Sequence, residues 1–503
     1  MKNVILLVVA VILIPFFTTA QSSILNELPV HTTHSHTSHV LTVSRSHLSG
    51  NSLSEVLDHA FDSLTLYSTI KGFNAAMFLP DGTLWKRATG LATELPEQNP
   101  LTTDHLMGMG SITKSFVSVT LLLMYEEGLL DLDDSIGQYL DPYPNVPGYT
   151  TIRQLLSHRS GISDYLNENP AMIQDWVTNP DSIWIADTLL NNYVLKPNYP
   201  VGTDWSYSNT NYLLAGRIIE RITGRHWFEE VRTRILTPYE LIHTFAYPWE
   251  SYGNQPFSHV WLDLDGDGSV EDLQGFGFPD DGLFSLASSA GCYLSTPEDL
   301  VRFSQLVYGG DVLKDSTLLE MITDYVVGPA NFEYGLGTSM YSVGVPLENH
   351  GHDGNLFYKS FALHFPSEQM SLAVQQNDDR TWVLLPNGEP FDLFFLFIGL
   401  LDTYLNYTEP TAVNQNDLTS ENLKLSPNPA GDETKVQFQL QNATEITLFI
   451  TATDGSTLRS YPYGTLPEGD HTLNLDLSDL SSGLYFLQIG TGVHAVAKTL
   501  VIR

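Results

Sequence analysis

The 503-residue chain carries 58 Asp and Glu against 23 Lys and Arg, a formal net charge of -35. That excess of acid argues against binding nucleic acid, whose phosphates need basic residues to neutralise them, and suggests a soluble surface. With 42% apolar and 11% aromatic residues the chain can bury a substantial core, and its length allows two or three domains.

Met1–Ala20 reads as a secretory signal, with Lys2 as its basic part, Val4–Phe17 as its apolar part and Thr18-Thr19-Ala20 as a small-residue cleavage site. The apolar run is shorter than a spanning helix needs, so no stable membrane span is expected once the signal is removed. Residues 21–51 are rich in Ser, Thr and His without apolar periodicity and read as a disordered leader. Nothing fixes the geometry of His31, His34, His36, His39 and His47, so no metal is expected there.

From residue 52 the pattern is globular. Val56, Leu57, Ala60, Phe61 and Leu64 share one face of a first helix, and Phe73–Leu79 and Thr83–Ala88 flank the hairpin signal Pro80-Asp81-Gly82. Ser111-Ile112-Thr113-Lys114 then precedes an apolar helical run, Phe116–Tyr125, that stops at Gly128. Positions three apart on a helix share a face, so the Lys114 ammonium can sit beside the Ser111 hydroxyl. A serine hydroxyl is a weak nucleophile until a base takes its proton, and a buried lysine can lose its charge to become that base.

Thr151 and Gln154 form a capping-box pair. Tyr207-Ser208-Asn209 follows a turn containing Gly202 and opens a helical run, Tyr212–Ile222, that ends at Gly224. Asp263, Asp265, Asp267 and Gly268 lie in a segment that starts like a calcium loop, but its twelfth position is Gln274, and a solvated acidic loop is the expectation. Cys292 is the only cysteine, so no intrachain disulfide can form, and it reads as a small packed residue. Thr296 and Pro297 supply a helix cap and a first-turn proline.

His352-Asp353-Gly354 lies just before Phe357–Phe365, a strand-like segment that forms a central hairpin with Met370–Gln376. Phe391–Leu401 reads as a closing helix packed on the sheet, and residues 403–421 as a polar linker. Beyond it, Val436/Phe438/Leu440, Ile446/Leu448/Ile450, Leu473/Leu475/Leu477 and Tyr485/Leu487/Ile489 alternate with period two, which predicts a small all-β sandwich over 422–503. No Gly-x-Ser-x-Gly elbow, His-Glu-x-x-His pair or Gly-x-Gly-x-x-Gly fingerprint occurs.

Ser-x-x-Lys, Tyr-x-Asn and His-x-Gly in this order, with the phrases Thr151–Gly161 (TIRQLLSHRSG) and Ala290–Leu300 (AGCYLSTPEDL), resemble the penicillin-recognising serine hydrolases. The branch is that of class C β-lactamases, D-alanyl-D-alanine carboxypeptidases and family VIII esterases. The resemblance covers roughly Leu53–Thr403 and implies an α/β (α+β) serine β-lactamase/transpeptidase-like domain over 52–402, an antiparallel sheet with packed helices. It implies that Ser111 is acylated and that Lys114 and Tyr207 share the proton work, each with a lowered pKa. It also implies that Asn209 holds the substrate amide or supports Lys114. Backbone N–H groups of Ser111 and Asn355 would form an oxyanion hole, with His352 and Gly354 on the substrate strand. No cofactor and no metal are implied.

The third motif departs from the Lys-Thr-Gly form. His352 replaces a permanent cation with a group largely neutral at about pH 7, and Asp353 replaces a hydroxyl with an anion. If Asp353 faces the pocket it repels a substrate carboxylate, which favours a neutral ester, an amide or a D-amino-acid peptide over a β-lactam. Strand alternation leaves open that His352 faces the site and Asp353 points away. The alternatives are a β-lactamase or D-alanyl-D-alanine carboxypeptidase and, in a different class, a non-catalytic peptidoglycan-binding or sensor protein or an adhesin.

The C-terminal phrases SPNPAGDETKVQF, TDGSTL, SGLYFLQI and AKTLVIR resemble the sorting domain of the type IX secretion system. That resemblance implies export through the periplasm, the type IX machinery as partner and a secreted or cell-surface location. An accessory carbohydrate-binding sandwich is the other reading, and no exposed aromatic cluster supports it.

Overall fold

The computed structural model describes residues 52–407 and 423–502, apart from 264–266, 324–325, 328–332, 344–346, 386–389, 441–442, 453–456, 482 and 491–494. The expected signal, the leader with its histidines, most of the expected linker and the middle of the Asp263–Ser269 loop lie outside the described residues. The described residues form two compact units: Leu64–Leu401, and Asp402 onward grouped with residues 52–63.

Helix α1 (Leu53–Thr65) buries Leu57, Ala60, Phe61 and Leu64, the face its periodicity predicts. The first unit is then organised by an antiparallel sheet, nine-stranded among the described residues. Strands β1 (Gly72–Phe78) and β2 (Leu84–Thr93) form the predicted hairpin, its turn held by the Thr83 N–H donating to the Asp81 carboxylate at 2.8 Å. Helix α2 (Thr113–Glu126) follows Ser111, and helix α3 (Asn209–Thr223) follows Tyr207, ending at Gly224 with φ 71°. Helix α4 (Pro297–Tyr308) starts under the Thr296 cap, whose side chain accepts from the Asp299 N–H. The predicted capping box of Thr151 and Gln154 also forms.

Strands β3 (His350–Leu356), β4 (Tyr358–Phe365) and β5 (Met370–Gln376) complete the sheet centre, and β5 pairs with β1. The third motif therefore lies within a strand of its own, not ahead of one. On β4, Phe361 and Phe365 meet Phe397 of helix α5 (Leu393–Leu405), while His364 on the opposite face bonds Ser371, which in turn reaches Gln305 of α4. Helices on both faces explain why β1, β4 and β5 are buried almost throughout and do not alternate.

Helix α5 runs four residues beyond the expected end at Leu401, so residues 403–405 are helical and not linker. Its start is capped by Asp392, which accepts from the Phe395 N–H at 2.6 Å, and buried Leu400 and Leu401 carry the packed face to its last turn.

Helix α2 is buried on nearly every side, which suits its apolar run. Its hydroxyls are matched inside: Ser115 donates to the Gly337 carbonyl at 2.8 Å, Ser118 to that of Leu336 at 2.6 Å and Thr120 to that of Phe116 at 2.9 Å. A buried hydroxyl without a partner would cost about 1–3 kcal/mol, so these bonds let a central helix carry polar residues.

In the second unit, Lys424–Ser426, Glu433–Leu440 and Gly469–Asp476 form one sheet, and Thr444–Ala452, Thr457–Leu466, Gly483–Gly490 and Ala495–Ile502 another. Val436, Phe438, Leu440, Ile446, Leu448, Ile450, Leu487 and Ile489 are buried in a common core. The period-two pattern thus resolves into two packed sheets.

Candidate active site

Ser111 lies in a 3-10 turn, Gly110–Ile112, that feeds α2. Glycines let β3 approach this turn. Gly110 has φ 52°, and a Cβ there would stand 2.6 Å from the Asn355 nitrogen; a Cβ on Gly354 would stand 1.9 Å from the Met109 carbonyl oxygen. The turn is fixed from two other sides, since the Met109 N–H donates to the Tyr293 carbonyl at 2.9 Å and Ser360 Oγ donates to the Met109 carbonyl at 3.0 Å. The sequence-predicted Ser111, Gly354 and Asn355 are therefore neighbours.

Lys114 is fully buried, and its ammonium meets three acceptors: Ser111 Oγ at 2.9 Å, Asn209 Oδ1 at 2.8 Å and the Ala290 carbonyl at 2.6 Å. Burial drives its pKa down to about 7, against the opposing pull of the Asp164 and Asp353 carboxylates. Near neutral pH the amine therefore has a substantial unprotonated fraction beside the Ser111 hydroxyl.

Tyr207 is half-buried, with its ring 4.9 Å from Lys114 Nζ and its hydroxyl near enough to Ser111 to be influenced by it. The expectation of a lowered pKa fails for this residue. Burial pushes the hydroxyl well above its ordinary value, which outweighs the contrary effect of the neighbouring Ser111 side chain. Tyr207 is thus held as a neutral phenol.

The expected Asn209 contacts Lys114, and around these groups the structure assembles Asp164, His158 and Tyr334, to which the motifs assign no role. Asn209, whose Oδ1 faces Lys114, donates its Nδ2 to Asp164 at 2.9 Å. His158, fully buried with φ 58°, packs its ring at a tilt against Tyr207 with centroids 4.3 Å apart, and its Nδ1 accepts from the Ser208 N–H at 3.1 Å. Burial holds its pKa well below the ordinary imidazole value, with the Lys114 charge acting in the same direction. The phrase Thr151–Gly161 contains His158 and stops three residues short of Asp164, so the signal for both was a conspicuous segment without an assigned chemistry. Tyr334 carried no such signal.

His352 is buried and faces the site. Its Nδ1 donates to the Asp353 carbonyl at 2.5 Å, and its Nε2 receives the Tyr334 hydroxyl at 3.0 Å. Burial lowers its pKa to about 4, so it is neutral. Asp353 does not have the pocket-facing orientation on which the carboxylate-repulsion argument depended. It lies opposite Phe361 and accepts from the Tyr341 hydroxyl at 2.5 Å, the arrangement that strand alternation allows. Its charge nevertheless reaches Lys114 and Tyr207. Cys292 is buried, and that burial raises its thiol well above the ordinary range.

An amine of near-neutral pKa at 2.9 Å from a hydroxyl, a neutral phenol whose ring lies against that amine and a backbone N–H beside the turn are the kinds of group that acyl transfer needs.

The Beta-lactamase family profile matches residues 67–388, and the Secretion system C-terminal sorting domain profile matches residues 424–503. The chain is similar to penicillin-binding protein 4* of Bacillus subtilis, 27% identical over 65% of this chain and 71% of that protein. It is also similar to esterase EstB of Burkholderia gladioli, 28% identical over 35% of this chain and 47% of the esterase.

Two solved structures are similar in fold. The D-stereospecific amidohydrolase from a Streptomyces species superposes with a TM-score of 0.57 at 29% identity, covering 65% of this chain and 94% of that one. The D-amino acid amidase from Ochrobactrum anthropi SV3, complexed with L-phenylalanine amide, superposes with a TM-score of 0.58 at 26% identity, covering 70% of this chain and 99% of that one. The C-terminal sorting domain marks an exported protein, secreted or held at the cell surface, with the secretion machinery as partner. Among the described residues no helix is long and apolar enough to cross a membrane.

Proposed function

The chain belongs to the beta-lactamase family of serine hydrolases, and we propose that it cleaves a neutral ester or a D-amino-acid amide or peptide through a Ser111 acyl-enzyme. The observation that carries this reading is the contact of a buried, near-neutral Lys114 with Ser111 Oγ at 2.9 Å. Unprotonated Lys114 takes the Ser111 proton as Oγ attacks the carbonyl carbon. The Ser111 and Asn355 N–H groups receive the oxyanion. Tyr207 donates its hydroxyl proton to the leaving oxygen or nitrogen and is reprotonated from Lys114. Water then attacks the acyl-serine, the same groups take its proton, and Ser111 is restored as the acid leaves.

The substrate class follows from charge. Neutral His352 offers no cation to a substrate carboxylate, and Asp353 adds a negative field nearby. Likeness to an esterase, to a D-stereospecific amidohydrolase and to a D-amino acid amidase supports the same class. The test is a panel of short-chain p-nitrophenyl esters, D-phenylalanine amide, a D-alanyl-D-alanine peptide and nitrocefin. Turnover of the ester or the D-amide at least about tenfold above nitrocefin and the carboxylate-bearing D-alanyl-D-alanine peptide is expected. A clear preference for nitrocefin would reverse the assignment.

A further inference from the structure

Asp164 is buried in the first unit, three residues after Gly161, and its carboxylate is fully engaged by donors. Oδ1 accepts the Leu166 N–H at 2.9 Å and the Asn167 N–H at 3.3 Å; Oδ2 accepts Asn167 Nδ2 at 2.7 Å and Asn209 Nδ2 at 2.9 Å. The Asn209 bond has a directional consequence. An amide has one donor end and one acceptor end, so an acceptor-only carboxylate on the Nδ2 side forces Oδ1 to the other side, where it meets Lys114 Nζ at 2.8 Å.

We propose that Asp164 is the positioning residue of the nucleophile's activation, locking the Asn209 carbonyl onto Lys114 and placing a buried negative charge one amide away from that amine. The proposal rests on the reading of Lys114 as the base for Ser111. Asp164 touches neither Ser111 nor the amine and acts through Asn209.

The surroundings of the pair bear on how this charge is felt. Lys114 faces Tyr207, Tyr212, His158 and His352 and feels the charge of Asp353 from farther away, while Tyr165 and Glu168 lie within reach of the Asp164 charge. His158 and His352 are held neutral by burial. Of the two carboxylates that favour the protonated amine, Asp164 has the larger effect and Asp353 the smaller. Asp164 therefore opposes the desolvation that would otherwise carry Lys114 further down.

Asp164→Asn tests both halves. The oxygen of the introduced amide keeps the two backbone donors, so its NH2 group meets Asn209 Nδ2 donor to donor, and Asn209 turns its own NH2 toward Lys114. With the negative charge gone, Lys114 loses its proton more readily, and the acid limb of kcat/KM moves to lower pH. The assay is p-nitrophenyl acetate hydrolysis by the full chain from about pH 5 to about pH 9. The expected result is an acid limb lowered by about one pH unit and plateau turnover down about tenfold or more.

The exchange Asp164→Asn with Asn209→Asp puts the carboxylate directly on Lys114, and its acid limb should move to higher pH by about a unit or more. This variant keeps one carboxylate in the pair and carries the test where the single change does not fold. Folded variants, judged by circular dichroism and melting, whose acid limb stays at the wild-type position would overturn the proposal and leave a structural role only. Ser111→Ala keeps the two claims separate. If it retains turnover, the reading of the site has failed; if it is inactive while the limbs stay fixed, only the role of Asp164 has failed.

Discussion

The Ser111–Lys114 turn and the His352–Gly354 strand meet across the same site, yet they obey different kinds of determinant. Within the turn, one helical repeat sets the spacing, so the 2.9 Å contact follows from positions three apart. In the strand, alternation allows either residue to face the site, and cross-strand neighbours decide: Tyr334 draws in His352 and Tyr341 holds Asp353. A nucleophile and its base can be encoded locally, whereas the charge presented to the substrate is set by residues that are local only in space.

Changes to the turn should therefore be the severe ones. Lys114→Ala is expected to lower kcat/KM by about 10³-fold with the fold retained, measured by steady-state ester hydrolysis. In the wild type, activity should rise with pH through about 7, because the amine must lose its proton to act, and burial has placed that event there. An activity flat across that range would remove Lys114 as the base.

Tyr207→Phe should cost less, about 10²-fold, since it removes a proton relay but not the base. Combining it with Lys114→Ala should add little, because groups acting as one unit are non-additive. Fully multiplicative losses in the double-mutant comparison would place the two residues in separate steps.

Asp353→Thr sharpens the contrast from the strand side. With its carboxylate held by Tyr341, the expected gain toward nitrocefin is only about two- to threefold, a long-range field effect and not relief of a direct clash. The acid limb should shift slightly to lower pH, since Asp353 favours protonated Lys114. A gain of tenfold or more would mean the carboxylate turns into the pocket when substrate binds.

The smallest kinetic effect should come from removing residues 424–503. Ser111, Lys114, Tyr207 and His352 all belong to the unit Leu64–Leu401, so kcat/KM of the purified protein should stay within about twofold while export from a native-type host stops. Normal export of the truncated chain would contradict the role of the sorting domain.

Legibility from sequence follows the same division. The caps at Thr151 and Thr296, the hairpin at Asp81 and the period-two strands of the second unit were readable because each depends on residues a few positions apart. Asp164, His158 and Tyr334 were not, because their meaning arises from contacts between distant segments, such as Asp164 with Asn209 and His352 with Tyr334. The Tyr207 pKa departs from the motif's implication for a related reason: a motif names neighbours, while desolvation depends on everything packed around them.

The most direct test of the account is rapid-quench mass spectrometry of the full chain during turnover of a p-nitrophenyl ester. The expected result is a transient mass increase equal to the acyl group, mapped to the peptide containing Ser111 and absent from Ser111→Ala. Turnover at full rate with no adduct on that peptide, or an adduct on another residue, would contradict it.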